Sequence, residues 1–306
     1  FFRMGDFYEQ FHDDAVVAVV ASEVLGLSLT SRDKNAENPI PMAGFPWHAL
    51  EDNLRVMLNS GYKVCVAEQE DELREGAKLL ERVVTRIYTP GSLYEESLIG
   101  TDETSNLASI VVKNDFIGLA ILDASTGNLW AVEYSGEDKW DRILDDLLRS
   151  STKELVFSPK DSEKDELRDV ILNLDNVTLS QHSTSKRKSD DSLKEILSVA
   201  DLGHIDLGDF PTAMQAAGLA ADYLSSMHLI DTVDFKDVEI LRPDDNLILD
   251  QTTLRNLELT HTLSGEKEGS LLGAIDKCRT AMGRRCLKQW ILRPLATKSS
   301  IEKRQD

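Results

Sequence analysis

The clearest pattern in this chain of 306 residues is a group of apolar runs in its middle third. These runs are 107–112, 116–122 and 128–134. The polar segments that join them are short enough for hairpin turns. A helical pattern over 140–148 and an apolar run over 154–157 follow. The pattern therefore predicts three consecutive strands, then a helix and a fourth strand.

Nearer the N-terminus, apolar residues at helical spacing mark two segments. Asp13 or Asp14 is placed to cap a helix over 15–25, although the many β-branched residues there leave a strand as an alternative. Residues 47–60 carry leucines and a methionine at helical spacing before Gly61, a residue type that commonly ends helices. Strands are predicted at 27–30, 62–66 and 83–88.

The C-terminal half is predicted to be mostly helical. Residues 180–191 are polar and are interpreted as a surface loop. A helix is predicted from Pro211, and the helical pattern resumes after Pro243 and continues to Leu292.

One short run near the N-terminus places an aromatic ring beside a carboxylate. In an extended strand, Phe7 and Glu9 leave the same face with their origins roughly 7 Å apart. A ring that slides between base pairs, beside a carboxylate that hydrogen-bonds a base edge, is suited to testing a duplex for weak stacking. The alternative is that Phe7 and Phe11 point into a core while Glu9 is solvated at a strand end.

The run Arg3–Glu9 resembles the mismatch-reading motif of the MutS family of DNA mismatch repair proteins. Further segments resemble that family in the same order, namely Pro41–His48, Arg86–Gly91, Leu247–Glu258 and Met282–Trp290. Ordered matches along almost the whole chain are more specific than any one of them. The phosphate-binding loop Gly-x-x-x-x-Gly-Lys-Ser/Thr is absent from the sequence, so the resemblance covers the lesion-reading part of the family and not its ATPase part.

The resemblance implies an α/β and α multidomain fold. Its parts are a mixed α/β mismatch-recognition domain over 1–91, a linker over 92–104, an RNase H-like α/β connector domain over 105–232, and the start of an all-helical core or lever domain over 233–306. Both ends of the sequence look cut, which indicates an internal fragment.

The resemblance also implies roles for the two motif residues. Phe7 would act as a wedge beside a mispaired base, because a probe that unstacks DNA binds best where unstacking costs least. Glu9, when protonated, would donate a hydrogen bond to a ring nitrogen of the displaced base.

Four further residues are candidates for contact with DNA. Arg32 and Arg82 match arginines of the family's DNA-facing domain and would hold phosphate. Met4 and Met42 would pack against sugar or base in the minor groove. Ordinary surface or core packing is an equal alternative for these four side chains.

The overall charge argues against nucleic acid. The net charge is −20, whereas affinity for duplex DNA rests mainly on Lys and Arg. The charge is less decisive if the contact with DNA is small and segments outside this chain supply most of the electrostatic attraction to DNA. The stretch Lys277–Arg304 is the exception, with nine basic residues and one acidic residue. We interpret it as a solvated helix face that balances acidic neighbours.

The cysteines and the longest apolar run indicate the cellular compartment in which the protein is expected. Cys65, Cys278 and Cys286 form no Cys-x-x-Cys pair, which fits a reducing cytosol. The apolar run Ala15–Ala21 is well short of a membrane span. We therefore expect a cytoplasmic protein, and the resemblance implies association with the bacterial nucleoid.

Two other functions stay open. Asp123 ends a central strand of an RNase H-like pattern, which invites a metal-dependent nuclease, although two bound ions need several converging carboxylates. The other alternative is a protein-interaction module of a repair complex.

We predict no catalytic site, cofactor or metal within this chain. The resemblance implies that the full-length protein is a homodimeric clamp driven by ATP and Mg²⁺, with its ATP site beyond residue 306. Its implied partners are double-stranded DNA with mismatches or small loops, and a MutL-type repair protein.

Overall fold

The computed structural model contains two six-stranded sheets and a C-terminal group of helices. The residues that it describes are 1–20, 25–32, 37–69, 82–99, 104–202, 210–227, 233, 235, 237–242, 246–247 and 249–305. Both sheets carry helices, so the fold class is mixed α/β.

The N-terminal part of the chain forms the first sheet. Its strands are β1 (Phe2–Met4), β2 (Phe7–Phe11), β3 (Thr30–Arg32), β4 (Ile40–Pro46), β5 (Val64–Gln69) and β6 (Arg82–Tyr88). They lie in the order β3-β4-β2-β1-β5-β6. The β1–β5 pair is parallel and the other four pairs are antiparallel.

Helices pack against this sheet. They are α1 (His12–Val20), a 3₁₀ turn (Trp47–Ala49), α2 (Leu50–Asn59) and α3 (Glu96–Ile99). Leu54, Met57 and Leu58 of α2 pack with Tyr8 and Phe45 of the sheet in one buried cluster. The predicted helix over 47–60 and the predicted strand over 83–88 are confirmed.

The predicted cap of the first helix is wrong. Helix α1 begins at His12, so Asp13 and Asp14 lie in its first turn. Strand β2 continues directly into the helix through His12, whose φ is 56°, and this leaves no separate capping position before the aspartates. Residues 21–24 of the predicted helix lie outside the described ranges. The strand predicted at 27–30 is displaced to Thr30–Arg32.

The second sheet contains the strands predicted from the middle of the sequence. They are β7 (Asn106–Lys113), β8 (Phe116–Asp123), β9 (Asn128–Tyr134), β10 (Thr152–Phe157), β11 (Thr178–Gln181) and β12 (Val238–Leu241). Their order is β11-β10-β7-β8-β9-β12. Strand β8 runs antiparallel to both neighbours, and the other pairs are parallel. Strand β12 follows the predicted domain boundary at residue 232 and still joins this sheet.

Four helices connect or cover the second sheet. They are α4 (Lys139–Arg149), α5 (Asp165–Leu172), α6 (Lys186–Ile196) and α7 (Pro211–Ser226). The backbone of α7 approaches β8 closely at Gly118, where an added Cβ would lie 2.1 Å from the carbonyl oxygen of Thr212. The carboxylate of Glu133 accepts hydrogen bonds from the Thr212 and Ala213 amides at 2.6 and 3.2 Å. Glu133 therefore caps α7 and joins it to β9.

The predicted loop over 180–191 is wrong. Its first residues complete β11, and α6 begins at Lys186. The Ser185 hydroxyl accepts a hydrogen bond from the Lys188 amide and caps the helix. Leu193 and Ile196, beyond the polar run, are buried in the core of the second sheet.

Glu154 of β10 joins the second sheet to segments that flank strands β5 and β6 of the first. It is fully buried, and its carboxylate accepts hydrogen bonds from Tyr223, Ser180 and, at 3.2 Å, the Gly91 amide. The Lys63 ammonium lies 3.5 Å from the same carboxylate. Burial and the charge of Glu154 raise the pKa of Tyr223, so its hydroxyl keeps its proton and remains a donor.

The C-terminal helices are shorter than the pattern predicts. They are α8 (Gln251–Asn256), α9 (Leu271–Ile275), α10 (Ala281–Leu292) and α11 (Lys298–Gln305). Gly265 and Gly269 have positive φ values of 88° and 98°, a backbone that interrupts a helix, so the continuous helix pattern is wrong there. The Arg293 guanidinium, in the basic stretch, lies 3.3 Å from Asp146 and 3.5 Å from the centroid of Trp130. These contacts attach the C-terminal helices to the second sheet.

Candidate nucleic-acid interface

Phe7 begins β2 at the tip of a tight hairpin. Gly5 and Asp6 form its two-residue turn, and Gly5 takes a φ of 61°, which glycine adopts without strain. The turn places Phe7 opposite Met4 on β1, and the next strand places Pro46 on the other side of Phe7. Phe7 is 47 % exposed. A large apolar ring therefore projects from a backbone that hydrogen bonds hold on both sides.

Glu9 lies on the same face as Phe7, one row further along the sheet. Its cross-strand neighbours are Gly44 on β4 and Phe2 on β1. An added Cβ at Gly44 would lie 2.9 Å from the Tyr8 carbonyl oxygen and 3.4 Å from Cγ of Glu9. Gly44 has no side chain, so the Glu9 carboxyl group can be approached from that side.

Three of the other predicted residues share this face. Met42 lies opposite Phe11, two positions from Glu9 along β2. Arg82 extends from β6 toward Met4, with 3.4 Å between its Nη2 and the methionine sulfur. The structure therefore brings Phe7, Glu9, Met4, Met42 and Arg82 together on one sheet face. For Arg32 it describes the backbone, in β3 opposite Ile40, and not the side chain.

The opposite face of the same strands supports the exposed one. Tyr8 and Gln10 are buried, and the Tyr8 ring lies 5.7 Å from Phe45 between centroids. The Tyr8 hydroxyl donates to Glu68, and burial together with that carboxylate raises the pKa of Tyr8 to about 12. The phenol stays protonated at neutral pH, and this contact fastens β2 to β5. The sequence left open whether Phe7 is exposed or points into the core. The structure places it on the exposed face.

Phe11 remains on the exposed face but is half-buried at the end of β2. The chain turns sharply at the next residue, His12. This turn ends the exposed row beyond Phe11.

Two residues of this face were missed by sequence reasoning. Phe2 is 40 % exposed and lies opposite Glu9, and Gly44 lies on the other side of that carboxylate. A signal for Phe2 was present, because a two-residue turn at Gly5-Asp6 pairs Met4 with Phe7 and hence Phe2 with Glu9. No comparable local signal assigns Gly44 to its partner.

Asp123, the candidate for metal-dependent cleavage, is occupied in a turn. Its Oδ1 accepts hydrogen bonds from the Ser125 amide and hydroxyl at 2.9 and 2.6 Å. Within the described ranges, no three His, Cys, Asp or Glu side chains are grouped so as to hold a metal ion. None of the helices in those ranges is long and apolar enough to cross a membrane.

The face thus combines groups that suit contact with a duplex. An exposed phenyl ring can enter a base step, a neighbouring carboxyl group can bond a base edge, and an arginine at the same surface can meet phosphate. Fold and site together define a multidomain α/β protein with a candidate DNA-reading face on its N-terminal sheet.

Comparison with known families agrees with this class. Models for MutS domain I, MutS domain II and MutS domain III match residues 1–97, 105–233 and 252–306. The chain belongs to the MutS family.

Curated relatives match along the whole chain. Proteins named DNA mismatch repair protein MutS are 36 % identical to it in Syntrophomonas wolfei, over 310 residues, and 36 % in Anaeromyxobacter dehalogenans, over 309 residues. The corresponding protein of Halothermothrix orenii is 33 % identical over 307 residues. Each match covers 100 % of this chain and 34 to 36 % of the relative. The chain therefore spans about a third of the length of these relatives.

Proposed function

We propose that this chain detects mismatched or looped-out bases in double-stranded DNA during mismatch repair. The observation that carries the proposal is the shared exposed face of Phe7 and Glu9, next to Gly44. The relatives' name supports the same function.

Phe7 is the proposed wedge. Opening a base step costs a few kcal/mol, and less where pairing is already defective. A ring on a rigid hairpin spends little conformational entropy of its own when it enters the step. Discrimination between mismatched and paired DNA then follows from the deformability of the duplex, and no particular base sequence has to be recognised.

Glu9 is the proposed hydrogen-bonding partner of the displaced base. It lies one row from Phe7, so a base displaced by the ring comes within reach of its carboxyl group. In the same proposal Arg82 and Arg32 hold phosphate, and Met4 and Met42 pack in the minor groove.

The test is Phe7→Ala in the full-length protein. We expect the preference for a mismatch over paired DNA to be lost with the fold intact, because the substitution removes an exposed ring. Affinities for one mismatch and its matched duplex are measured side by side at one stated salt concentration. Phe116→Ala is the matched control, since Phe116 is 44 % exposed on the second sheet. An unchanged ratio in Phe7→Ala would refute the wedge.

For the remainder of the protein we propose the family's arrangement. The order and directions of β7 to β11 support an RNase H-like connector, and the C-terminal helices support the start of a helical core. ATP and Mg²⁺ would act at a site outside this chain, in a homodimeric clamp. The nuclease alternative is not proposed, since the family assignment and the turn at Asp123 both disfavour it.

A MutL-type protein is the proposed protein partner. The test is a pull-down of the full-length protein with and without mismatched DNA. Capture that needs no DNA and survives Phe7→Ala would favour an interaction module with a secondary role in DNA binding.

A further inference from the structure

The exposed sheet face that carries Phe7 and Glu9 is called the reading face. The cross-strand register arranges its side chains in rows. Gly44, Glu9 and Phe2 form one row across β4, β2 and β1, and Pro46, Phe7 and Met4 form the next. Side chains directly opposite one another in an antiparallel pair share a face. Phe2 and Phe7 are therefore diagonal neighbours, a relationship that spans about 7–8 Å in antiparallel sheets. Glu9 is flanked by both phenyl rings.

Phe2 is exposed although it is large and apolar, with 40 % of its surface open to solvent. The Arg82 guanidinium carbon lies 5.8 Å from the centroid of its ring. Arg82 also approaches Gln69 Oε1 and the Arg3 carbonyl oxygen, each at 3.5 Å. A cation held by several strands thus lies against one side of the Phe2 ring, which favours a fixed ring position.

The two neighbours of Glu9 make its surroundings asymmetric. On the β4 side Gly44 offers no side chain, so a flat group can approach the carboxyl group there. On the β1 side Phe2 offers an apolar surface, which would shield the carboxyl group from water once a base is bound. A hydrogen bond formed beside an apolar wall is stronger than one in open water because the local dielectric is lower.

We propose that Phe2 is a second specificity-determining residue of the mismatch-reading face. Its ring forms an apolar wall beside the Glu9 carboxyl group and packs against the base that Glu9 bonds. Phe7 occupies the space opened between the stacked base pairs. This inference rests on the proposed function, since it assigns Phe2 a part in reading the same displaced base.

The test compares Phe2→Ala, Phe2→Tyr and Phe7→Ala in the full-length protein. Phe2→Ala removes the contact between the ring and the displaced base, so it should lower the mismatch-to-matched affinity ratio on the order of tenfold, as expected for base–aromatic contacts. Affinity for matched duplex should stay unchanged, because no base is displaced there. Phe2→Tyr keeps the ring and should keep the ratio. Thermal unfolding of each variant checks the fold.

A double-mutant cycle with Glu9→Ala tests whether Phe2 acts through the carboxyl group. We expect Phe2→Ala to lower the mismatch-to-matched affinity ratio much less once Glu9 has been replaced, since the effects of substitutions at coupled neighbours are not additive. Full additivity would overturn the role of Phe2 as the wall of the Glu9 position.

The same measurements separate this inference from the proposed function. If Phe7→Ala loses discrimination and Phe2→Ala keeps it, the role of Phe2 is refuted and the function stands. If Phe2→Ala weakens mismatched and matched duplex equally, Phe2 is a general contact and its specificity role is refuted. If Phe7→Ala also keeps discrimination, the wedge role of Phe7 is refuted, and if the wild type itself binds mismatched and matched duplex equally, the proposed function fails.

Discussion

Gly44 lies directly opposite Glu9 across the β2–β4 pair, and an added Cβ there would lie 2.9 Å from the Tyr8 carbonyl oxygen. Real Cβ atoms do not approach a backbone oxygen so closely, so a larger residue must displace one of the two strands. The glycine thus serves both the packing of the sheet and access to the carboxyl group.

Gly44→Ala is predicted to destabilise the chain and to weaken mismatch discrimination. Overpacking costs about 1–3 kcal/mol, which exceeds the roughly 0.4–1 kcal/mol that Gly→Ala gains by restricting the unfolded chain. Urea unfolding and the two duplex affinities measure these effects. A variant that is more stable than the wild type would show that the strand adjusts without strain.

Glu154→Ala is predicted to lower the free energy of unfolding by about 3 kcal/mol or more, because several buried donors lose one acceptor and each costs about 1–3 kcal/mol unpaired. The donors are Tyr223, Ser180 and the Gly91 amide. Urea unfolding of the chain at neutral pH measures the change. Glu166→Ala, an exposed glutamate of α5, is the control and should change stability little. Equal stability of the two variants would contradict the structural role of Glu154.

The pH dependence of stability should include a contribution from Asp222. His182 Nε2 lies 2.8 Å from its carboxylate, and the Lys188 ammonium lies 3.0 Å from it. Burial alone would raise the pKa of Asp222, but donors from His182, Thr184 and Lys188 outweigh it and hold the pKa below its ordinary value.

The sign of this contribution follows from the lowered pKa. A carboxyl group with a lowered folded pKa stabilises the fold fully above its ordinary value of about 4, and that stability is lost as pH falls through the folded pKa. Asp222→Asn should therefore be less stable than the wild type at pH 7 and should lose less stability on acidification below about pH 4. Urea unfolding across that range tests it, and parallel curves for the two proteins would contradict the prediction.

Local sequence patterns predicted the central strands well and the environment of Glu9 incompletely. The runs that became β7, β8 and β9 are separated by short polar turns, so both the elements and their pairing follow from neighbouring residues. Helix α6 was mistaken for a loop because its stability depends on a cap at Ser185 and on Leu193, which packs against distant residues. The polarity of the segment shows neither that Ser185 caps a helix nor that Leu193 is buried.

The candidate site shows the same division. The exposure of Phe7 and Glu9 on one face follows from strand alternation, which is a local rule. The positions of Gly44 and Arg82 depend on strand order across the sheet, since β4 and β6 lie far from β2 in sequence. Pairing over such separations is set by packing of the whole domain, and local sequence patterns do not specify it.

Glu9 can take one of two chemical roles in the DNA complex. If the carboxylate approaches DNA ionised, Glu9→Gln removes repulsion from phosphates, strengthens binding to matched duplex and narrows discrimination. If the carboxyl group is protonated in the complex, the amide of Gln still offers a donor and mismatch affinity stays nearly unchanged. In that second case Glu9→Ala weakens the mismatch complex by about 1 kcal/mol, because the base loses its partner.

We expect Glu9→Gln to keep mismatch affinity and Glu9→Ala to lower it, since the reading face places the carboxyl group between Phe2 and Gly44, where a bound base can reach it. Affinities of the wild type, Glu9→Gln and Glu9→Ala for one mismatch and its matched control, measured from about pH 6 to 8, distinguish the cases. Stronger binding of matched duplex by Glu9→Gln would support the ionised role instead. If neither substitution changes either affinity, Glu9 is a solvated strand residue and the reading face reduces to its aromatic side chains.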